Sequence, residues 1–351
     1  MKQIHIIAFT QEGMRLALML RTQLEAILFD VTVSSAARSG CGIPAVSLGG
    51  WVQEHFMSGN ALVYIGAAGI AVRSIAPFVK DKRSDPAVLV LDEKGRFVVP
   101  LLSGHIGGAN ELARQLARMT GGLAVLTTAS DVNGLFAVDV CARKNHCAIS
   151  SMEKAKRFAA ALLKHRRGFV LLPEDFADCI SVGSVPPELS IVSADDEAAG
   201  TAGDALFCIS PAAESGLLQL VPSCLLVGVG CKRNTPAASL RNFVAAVLEE
   251  QGLHPAAIAA ITSIDVKADE PAVKELASFY HVPPLFFSAE TLRAVPGSFL
   301  PSEFVRQTVG VDNVCERSAV AAGASRLLVR KIARDGMTAA VGIRHVHISL
   351  A

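Results

Sequence analysis

Short apolar runs alternate along the chain with longer stretches in which apolar residues recur at helical spacing. Ile4–Phe9 and Ala61–Ile65 are continuous apolar runs, the pattern of strands that are buried on both faces of a sheet. Thr10 is a suitable helix cap before the amphipathic stretch Met14–Leu24, and Ile70–Pro77 has the spacing of a short helix. This alternation predicts an α/β fold with mainly parallel sheets.

The following stretch predicts a hairpin and then a helix. Ala87–Leu91 and Phe97–Leu101 are apolar runs on either side of a polar turn, which favours two antiparallel strands. We expect a helix over Ala109–Met119 that stops at Gly121-Gly122, because glycine is common where helices end. Leu123–Thr128 then predicts a further strand.

The distribution of these elements divides the chain into three parts. Residues 1–131 form a predicted N-terminal α/β domain, residues 132–222 a smaller α/β middle segment, and residues 223–351 a C-terminal α/β domain. The elements predicted in the C-terminal domain are strands at Cys224–Gly230, Ile258–Ile264 and Leu285–Phe287 and helices at Pro236–Gln251, Glu270–Tyr280 and Glu316–Val329. A length of 351 residues agrees with two α/β domains joined by a middle segment, since one domain typically has about 100 to 200 residues.

Composition and charge exclude several classes of protein. Hydrophobic residues make up 51% of the chain and charged residues only 19%, which excludes a disordered protein and a coiled coil. Lysine and arginine number 33 and acidic residues 32. The net charge of +1 therefore gives no overall positive potential that would attract nucleic acid or an anionic membrane. Mean hydropathy is +0.42, but no apolar run approaches the roughly 18 residues of a transmembrane helix. We therefore predict no nucleic-acid partner and no membrane association.

The N-terminus and the cysteines indicate a reducing compartment. The first apolar run has no small-residue cleavage site, so we expect the protein to stay in the cytoplasm. The eight cysteines are scattered without a CxxC pair, which favours reduced thiols over a disulfide framework. His345 with His347, and Cys141 with Cys147, lack further ligands at metal-binding spacing. We therefore predict no metal site.

The stretch Ser103–Glu111 is the most informative motif, because it places a histidine and several small residues between a predicted strand and a predicted helix. The backbone N–H groups of Gly107 and Gly108 lie where a helix dipole favours an anion. A tight turn explains the glycines equally well, and a lone His105 is more often a hydrogen-bonded structural residue than a catalyst. The spacing matches neither a Walker loop nor a GxGxxG fingerprint, which disfavours a nucleotide site.

A second glycine turn, Gly66–Gly69, also follows a predicted strand, and Arg73 comes one helical turn later. Two such turns at the carboxyl ends of strands predict a shared ligand-binding crevice. The charged stretch that follows adds Lys80 and Lys82 as candidate anion ligands, with a solvated loop as the alternative.

Four polar motifs of the C-terminal domain lie at strand-to-helix junctions. They are Gly228–Thr235, Ser263–Glu270, Ser302–Val305 and Asn313–Glu316. Each is explicable by helix capping, while their common position favours ligand binding.

Together these motifs resemble the cobalt-precorrin-5A hydrolase (CbiG) family of anaerobic cobalamin biosynthesis. On the N-terminal side the resemblance is carried by Gly66–Arg73, Lys80–Val88, Leu102–Ala113 and Thr127–Asp131. On the C-terminal side it is carried by Gly228–Cys231, Ser263–Lys267, Asp269–Glu270, Pro301–Val305 and Val314–Glu316. The motifs follow the family's order and spacing over nearly the whole chain.

The resemblance implies an enzyme that opens the ring A δ-lactone of cobalt-precorrin-5A and releases the two-carbon C20 unit as acetaldehyde, giving cobalt-precorrin-5B. Water is the only co-substrate. The cobalt is carried by the substrate, so the resemblance implies no resident cofactor and no metal ligands. A corrinoid bears many acetate and propionate carboxylates, which glycine-turn amides, helix N-termini and a few cations can bind.

The roles of individual residues go beyond the resemblance and follow from their chemistry. His105 is the first candidate for the general base, because an imidazole can both accept and return a proton near neutral pH. Glu111 is expected to orient His105 or to start the helix, and Ser103 is the third catalytic candidate. The substrate-binding candidates are Gly66, Gly69, Arg73, Lys80, Lys82, Gly104, Gly107, Gly108, Asn110, Thr128, Asp131, Gly230, Cys231, Lys267, Ser302, Glu303, Cys315 and Glu316.

A binding protein without chemistry is the alternative function. A corrinoid carrier or chaperone would use the same glycine loops to hand intermediates between enzymes of the pathway. A nucleotide-dependent kinase or synthetase is disfavoured by the missing phosphate-loop lysine. Other enzymes of the cobalamin pathway are candidate partners, and a homodimer is left open.

Overall fold

The computed structural model describes residues 3–36, 43, 45–81, 84–105, 107–213 and 216–350, without the side chains of residues 130 and 304. The chain forms two compact units, Met1–Leu135 and Phe136–Ala351. The α/β class and the mainly parallel sheets predicted from the sequence are confirmed.

Unit 1 is built around one six-stranded sheet. Its strands are β1 Ile4–Ala8, β2 Val31–Ser35, β3 Ala61–Ile65, β4 Ala87–Leu91, β5 Phe97–Leu102 and β6 Leu123–Ala124. Its helices are α1 Gln11–Glu25, α2 Leu48–His55, α3 Ala68–Ile75, α4 Ala109–Thr120 and α5 Ala129–Asn133. The strand order is β2-β1-β3-β4-β5-β6. Neighbouring strands are parallel except in the predicted hairpin of β4 and β5.

Helices cover both faces of this sheet. Ile4 and Ile6 pack in one core with residues of α1 and α4, whereas Ile7 packs on the other face with Trp51 of α2. This arrangement explains why the strands are apolar at every position rather than at alternate ones. Thr10 caps α1 as predicted, accepting a hydrogen bond from the Gly13 N–H at 3.0 Å.

The predicted strand Leu123–Thr128 is wrong in length, because only Leu123 and Ala124 form a strand. β6 lies at the edge of the sheet and pairs only with the start of β5. After the Val125 N–H bonds to the carbonyl of Val98, the chain leaves the edge. This departure carries Thr128 and Asp131 toward the loop that follows β5.

Unit 2 contains two five-stranded sheets. Its helices are α6 Val138–Lys144, α7 Met152–His165, α8 Glu197–Thr201, α9 Ala237–Glu250, α10 Pro271–Phe279, α11 Ala289–Ala294, α12 Glu303–Val309 and α13 Cys315–Ala321. Its strands are β7 Cys147–Ile149, β8 Gly168–Leu171, β9 Ile180–Val182, β10 Leu189–Val192, β11 Leu206–Ile209, β12 Leu218–Pro222, β13 Leu225–Cys231, β14 Ile258–Ile264, β15 Pro284–Phe287, β16 Arg326–Arg334, β17 Met337–Ile343 and β18 Val346–Ile348. The sheets have the orders β10-β8-β11-β12-β7 and β15-β14-β13-β17-β16.

The predicted helix Glu316–Val329 is wrong in its second half. α13 ends at Ala321, and Gly323 has a φ of +101°, a left-handed conformation that helix residues do not adopt. Arg326–Arg334 then forms β16 and pairs antiparallel with β17. The pairing partner lies later in the chain, so the apolar spacing of this stretch alone does not reveal the strand.

From Phe136 onward, the middle segment belongs to the same unit as the C-terminal sheet. β18 pairs in parallel with β9, so that His347 lies beside Ser181. Asn145 donates from its side chain to the Ser349 carbonyl at 2.8 Å and accepts from the Ser349 N–H at 2.8 Å. The division at residues 131–132 and 222–223 stays a prediction.

Candidate functional site

The loop between β5 and α4 holds His105 in a conformation that requires small residues. Ser103 has a φ of +54° and Gly108 a φ of +81°. A Cβ atom on Gly107 would lie 2.4 Å from the Ser103 Cβ, so glycine is required there. The N–H groups of Gly108 and Ala109 donate to the carbonyls of His105 (3.1 Å) and Ser103 (3.2 Å). The Gly108 N–H, an expected anion donor, is therefore used within the loop.

Asn110, in the first turn of α4, connects this loop to residues 128–131. Its side chain is buried, and its backbone N–H donates to the Gly104 carbonyl at 2.9 Å. Gly104 permits this approach, since a Cβ there would lie 2.7 Å from the Asn110 Oδ1. The Asn110 Nδ2 donates to the Asp131 Oδ2 at 2.7 Å and to the Thr128 Oγ1 at 3.3 Å. The fold thus brings four of the predicted residues together.

Asp131 is the centre of this group, which we call the Asp131 cluster: His105, Asn110, Arg114, Thr128 and Asp131. The Oδ2 atom of Asp131 lies 2.9 Å from the Nε2 atom of His105. Asp131 also accepts hydrogen bonds from the Thr128 hydroxyl and the Arg114 guanidinium. The side chains of His105 and Asp131 are 19% and 9% exposed.

The charge of Asp131 follows from these contacts. Burial alone would raise the pKa of Asp131, but the hydrogen bonds from Thr128, His105 and Arg114 outweigh burial and lower the pKa to about 2. The carboxylate is therefore ionised at neutral pH. An ionised carboxylate bonded to one ring nitrogen fixes the orientation of an imidazole and stabilises its protonated form.

The sequence did not lead us to Arg114. It led us to expect that Glu111 orients His105, a role that Asp131 has in the structure. Asn110 and Arg114 are four residues apart on α4, so they project from the same helix face, and this spacing could have identified Arg114. Glu111 lies in the first turn of α4, 48% exposed and 3.8 Å from Arg114. The carboxylate in contact with His105 is Asp131, so of the two roles expected for Glu111 only the place at the helix start is observed.

The glycine turn after β3 is a separate local structure. The Gly66 N–H bonds to the carbonyl of Leu91 at 2.8 Å and continues the pairing with β4. Arg73 is exposed, and its guanidinium donates to the Gly69 carbonyl at 3.2 Å within α3. No hydrogen bond among the described residues connects Arg73 to the Asp131 cluster.

The charged stretch after α3 is organised by Asp85. The carboxylate of Asp85 accepts a hydrogen bond from the Lys80 backbone N–H at 3.0 Å, and the Lys80 side chain is exposed. The Asp85 carbonyl accepts a hydrogen bond from the Ser103 hydroxyl at 2.8 Å. Lys82 lies outside the described residues. Ser103 is thus a link between this stretch and the His105 loop.

A cavity of about 710 Å³ opens in unit 2 beside the carboxyl ends of β13 and β14. Five residues predicted from four motifs line it, namely Gly230, Cys231, Lys267, Ser302 and Cys315. The carboxyl ends of parallel strands are where open α/β sheets bind ligands. The cavity is therefore a second candidate site, within unit 2 alone.

The thiols in this cavity are poor nucleophiles. Burial raises the pKa of Cys231, and the carboxylate of Glu270 adds to the increase while Lys267 opposes it. Burial raises the pKa of Cys315 to about 11. Lys267 itself lies 3.3 Å from the Glu270 carboxylate, and both side chains are largely buried. Both thiols are therefore protonated at neutral pH, a state that suits packing rather than attack.

Glu316 and Glu303, two further candidates, do not line the cavity. Glu316 is fully buried and accepts hydrogen bonds from the backbone N–H groups of Leu300 (2.8 Å) and Lys331 (2.9 Å), the Asn313 side chain (2.7 Å) and the Arg330 guanidinium (2.9 Å). These bonds connect the segment before α12 to β16. The Glu303 side chain is 69% exposed and lies 3.9 Å from Arg306. Glu316 therefore shapes the cavity wall, whereas Glu303 is a surface residue.

The remaining histidine and cysteine motifs were candidates for a metal site. Among the residues that the structure describes, no group of three or more His, Cys, Asp or Glu side chains has the arrangement of a metal site. His347 bonds to Ser181 at 3.0 Å, and His345 precedes β18. Cys141 and Cys147 are free thiols whose pKa values burial raises to about 11 and about 12. Within the same described ranges, no helix combines the length and the apolar character needed to cross a membrane.

Comparison with known proteins identifies related chains. Residues 50–131 match the family model for the N-terminal part of cobalamin synthesis protein G, and residues 225–342 match the model for its C-terminus. Cobalt-precorrin-5A hydrolase of Salmonella typhimurium is 40% identical over 303 residues, 84% of this chain and 84% of that protein. Cobalt-precorrin-5A hydrolase of Priestia megaterium is 30% identical over 299 residues, 82% of this chain and 79% of that protein.

A solved structure aligns with almost the full length. A cobalamin biosynthesis protein G homologue from Sulfolobus solfataricus is 21% identical, with 98% of each chain covered and a TM-score of 0.40.

Proposed function

The chain belongs to the cobalt-precorrin-5A hydrolase family, and we propose that it converts cobalt-precorrin-5A to cobalt-precorrin-5B with release of acetaldehyde. The observation that carries the proposal is the contact between His105 and Asp131 within the matched segment 50–131. This pair has the geometry of a general base whose imidazole is oriented by a carboxylate.

The proposed reaction has two stages. Water adds to the lactone carbonyl, and the bond between the carbonyl carbon and the ring oxygen breaks, leaving a ring A carboxylate and a C20 hydroxyl. Loss of the hydroxyl proton then allows the carbonyl of acetaldehyde to form while the carbon–carbon bond to the macrocycle breaks. The macrocycle takes up the electron pair and a proton, so that one water enters and one acetaldehyde leaves.

His105 acts in both stages of this proposal. The imidazole accepts a proton from the attacking water, and the ionised Asp131 stabilises the resulting imidazolium. The imidazolium gives this proton to the departing ring oxygen, which becomes the C20 hydroxyl. The neutral imidazole then removes the hydroxyl proton in the second stage. Cobalt enters as part of the substrate, and the proposal assigns the protein no resident metal or cofactor.

Acetaldehyde release from purified full-length protein is the test. The protein is incubated with cobalt-precorrin-5A under anaerobic conditions, acetaldehyde is measured by NADH-linked reduction, and the corrinoid is analysed by mass spectrometry. We expect stoichiometric acetaldehyde and a product that has gained one water and lost one acetaldehyde. Tight binding of an unchanged corrinoid would instead identify a carrier and overturn the proposal.

A further inference from the structure

The cavity of unit 2 has an apolar floor. Ile264, Val314 and Met337 contribute buried side chains, and Val305 and Val309 add half-buried ones from α12. A volume of about 710 Å³ falls within the range of cavities that hold small-molecule ligands, roughly 300 to 1,000 Å³. The floor therefore suits a ligand with a large apolar body.

The charged side chains that line the cavity are almost all positive. They are Lys232, Arg233, Lys267, Lys331 and Arg334, with Asp335 as the acidic member. Lys267 is paired with Glu270, and Arg334 makes two hydrogen bonds of 2.7 Å to Glu250. Among the described residues, no ion pair involves Lys232, Arg233 or Lys331. Three cations for which the described residues form no ion pair thus line one cavity, an arrangement that attracts anions.

Two of these three cations are positioned by the fold. The stem of Lys232 packs across the turn between β16 and β17, where a Cβ on Gly336 would lie 2.7 Å from the Lys232 Cε. Gly336 has a φ of +78°, so glycine also suits the turn itself. Lys331 is fixed through its backbone N–H, which bonds to the buried Glu316. Lys331 lies on β16 and Lys232 directly follows β13, so the sheet positions the backbone of both residues, as a preorganised binding site requires.

We propose that this cavity binds the carboxylate-bearing edge of a tetrapyrrole macrocycle, with Lys232, Arg233 and Lys331 as its anion ligands. The choice of ligand rests on the proposed function. The assignment adds a binding site in unit 2, which contains no member of the Asp131 cluster. Phosphates attract the same cations, but an apolar floor with cations on separate segments matches a flat ring with carboxylates around its rim.

Binding of uroporphyrin I to the full-length protein tests the site. Uroporphyrin carries eight carboxylates and no lactone, so its binding, followed by its fluorescence, is independent of turnover. The test variant is Lys232→Glu with Lys331→Glu. The control is Lys156→Glu with Lys164→Glu on α7, which makes the same change in net charge at exposed positions outside the cavity. We expect the dissociation constant to rise at least tenfold in the first variant and less than twofold in the second.

The competing outcomes separate this inference from the proposed function. No measurable uroporphyrin binding, equal weakening in both variants, or displacement by tripolyphosphate at lower concentration than by benzenehexacarboxylate would each overturn the site. If circular dichroism shows that the glutamate variant does not fold, Lys232→Gln with Lys331→Gln replaces it. His165→Gln, at an exposed position at the end of α7, should bind uroporphyrin as the wild type does. Absence of acetaldehyde with wild-type protein, by contrast, refutes the proposed function whether or not uroporphyrin binds.

Discussion

Asp131 of unit 1, 9% exposed, and Glu316 of unit 2, fully buried, both accept several hydrogen bonds, but from different kinds of donor. The partners of Asp131 are side chains, including the imidazole of His105. Two partners of Glu316 are backbone N–H groups, those of Leu300 and Lys331. A carboxylate bonded to side chains, such as Asp131, can influence the protonation of a titratable group. A carboxylate bonded to backbone N–H groups, such as Glu316, fixes the shape of the cavity wall.

The largest effect is expected at His105, the partner of Asp131 that acts in the proposed reaction. His105→Gln should lower single-turnover acetaldehyde release by about 10² to 10⁴, the usual contribution of a general base. The dissociation constant for the corrinoid should change by less than about tenfold, because the substitution leaves the remaining contacts in place.

His165→Gln, at an exposed position at the end of α7, is the control for losing a histidine and should match the wild type. Near-normal release by His105→Gln would mean that the Asp131 cluster is structural, and the contrast with Glu316 would disappear.

Glu316→Gln should give the next largest effect, on stability. Replacing one carboxylate oxygen by an NH₂ group sets a donor against groups that themselves donate, at a site with no exposure. We expect the free energy of unfolding to fall by about 3 kcal/mol, measured by urea denaturation. Glu303→Gln, at a 69% exposed side chain, should change it by less than about 0.5 kcal/mol. Equal stability of the two variants would show that the bonds to Glu316 do not hold the wall.

Lowering the pH should destabilise the protein as Asp131 becomes protonated. Its pKa is lowered from 3.8 to about 2, so the stabilisation is fully present above pH 3.8 and is lost as the pH falls through about 2. The loss should reach about 2 kcal/mol of unfolding free energy. Urea denaturation of wild type and Asp131→Asn between pH 5 and pH 2 measures it, and the variant should lack this part of the slope. Parallel curves for the two proteins would contradict the assignment.

Arg114→Gln should give the smallest effect and sharpen the role of Asp131. Arg114 is 40% exposed and bonds to Asp131, the carboxylate in contact with His105, so it is a positioning residue. We expect turnover to fall by no more than about tenfold. The acid limb of the pH–rate profile should move to higher pH, because a less neutralised Asp131 stabilises the imidazolium more strongly. Arg118→Gln, exposed on the same helix, should leave the profile in place, and an unmoved profile for Arg114→Gln would argue against the coupling.

The sequence revealed elements whose determinants are local. β3 has the predicted bounds, Ala61–Ile65, and β1 differs from its prediction by one residue, because an uninterrupted apolar run identifies a strand covered on both faces. β16 was mistaken for the continuation of α13. Its identity depends on pairing with β17, a contact that apolar spacing does not encode.

The candidate sites show the same limit. The glycines before α4 indicated that His105 lies in a tight loop, since steric requirements are local. The contact between His105 and Asp131 joins residues 26 apart and follows from the early end of β6. Lys331 was not identified, because the hairpin of β16 and β17 brings it to the cavity that Lys232 also lines.

The pairing of β18 with β9 has a consequence for synthesis on the ribosome. Ser181 emerges 166 residues before His347, the residue that lies beside it in the finished sheet. Until β18 emerges, β9 lacks the strand with which it pairs in the described structure, and unpaired strands invite pairing with other chains. Unit 1 has all of its own residues once Leu135 has emerged. Nascent chains arrested between β9 and β18 therefore combine a complete first unit with an unpaired β9 in the second, and we expect this form to be exposed to aggregation and to chaperones.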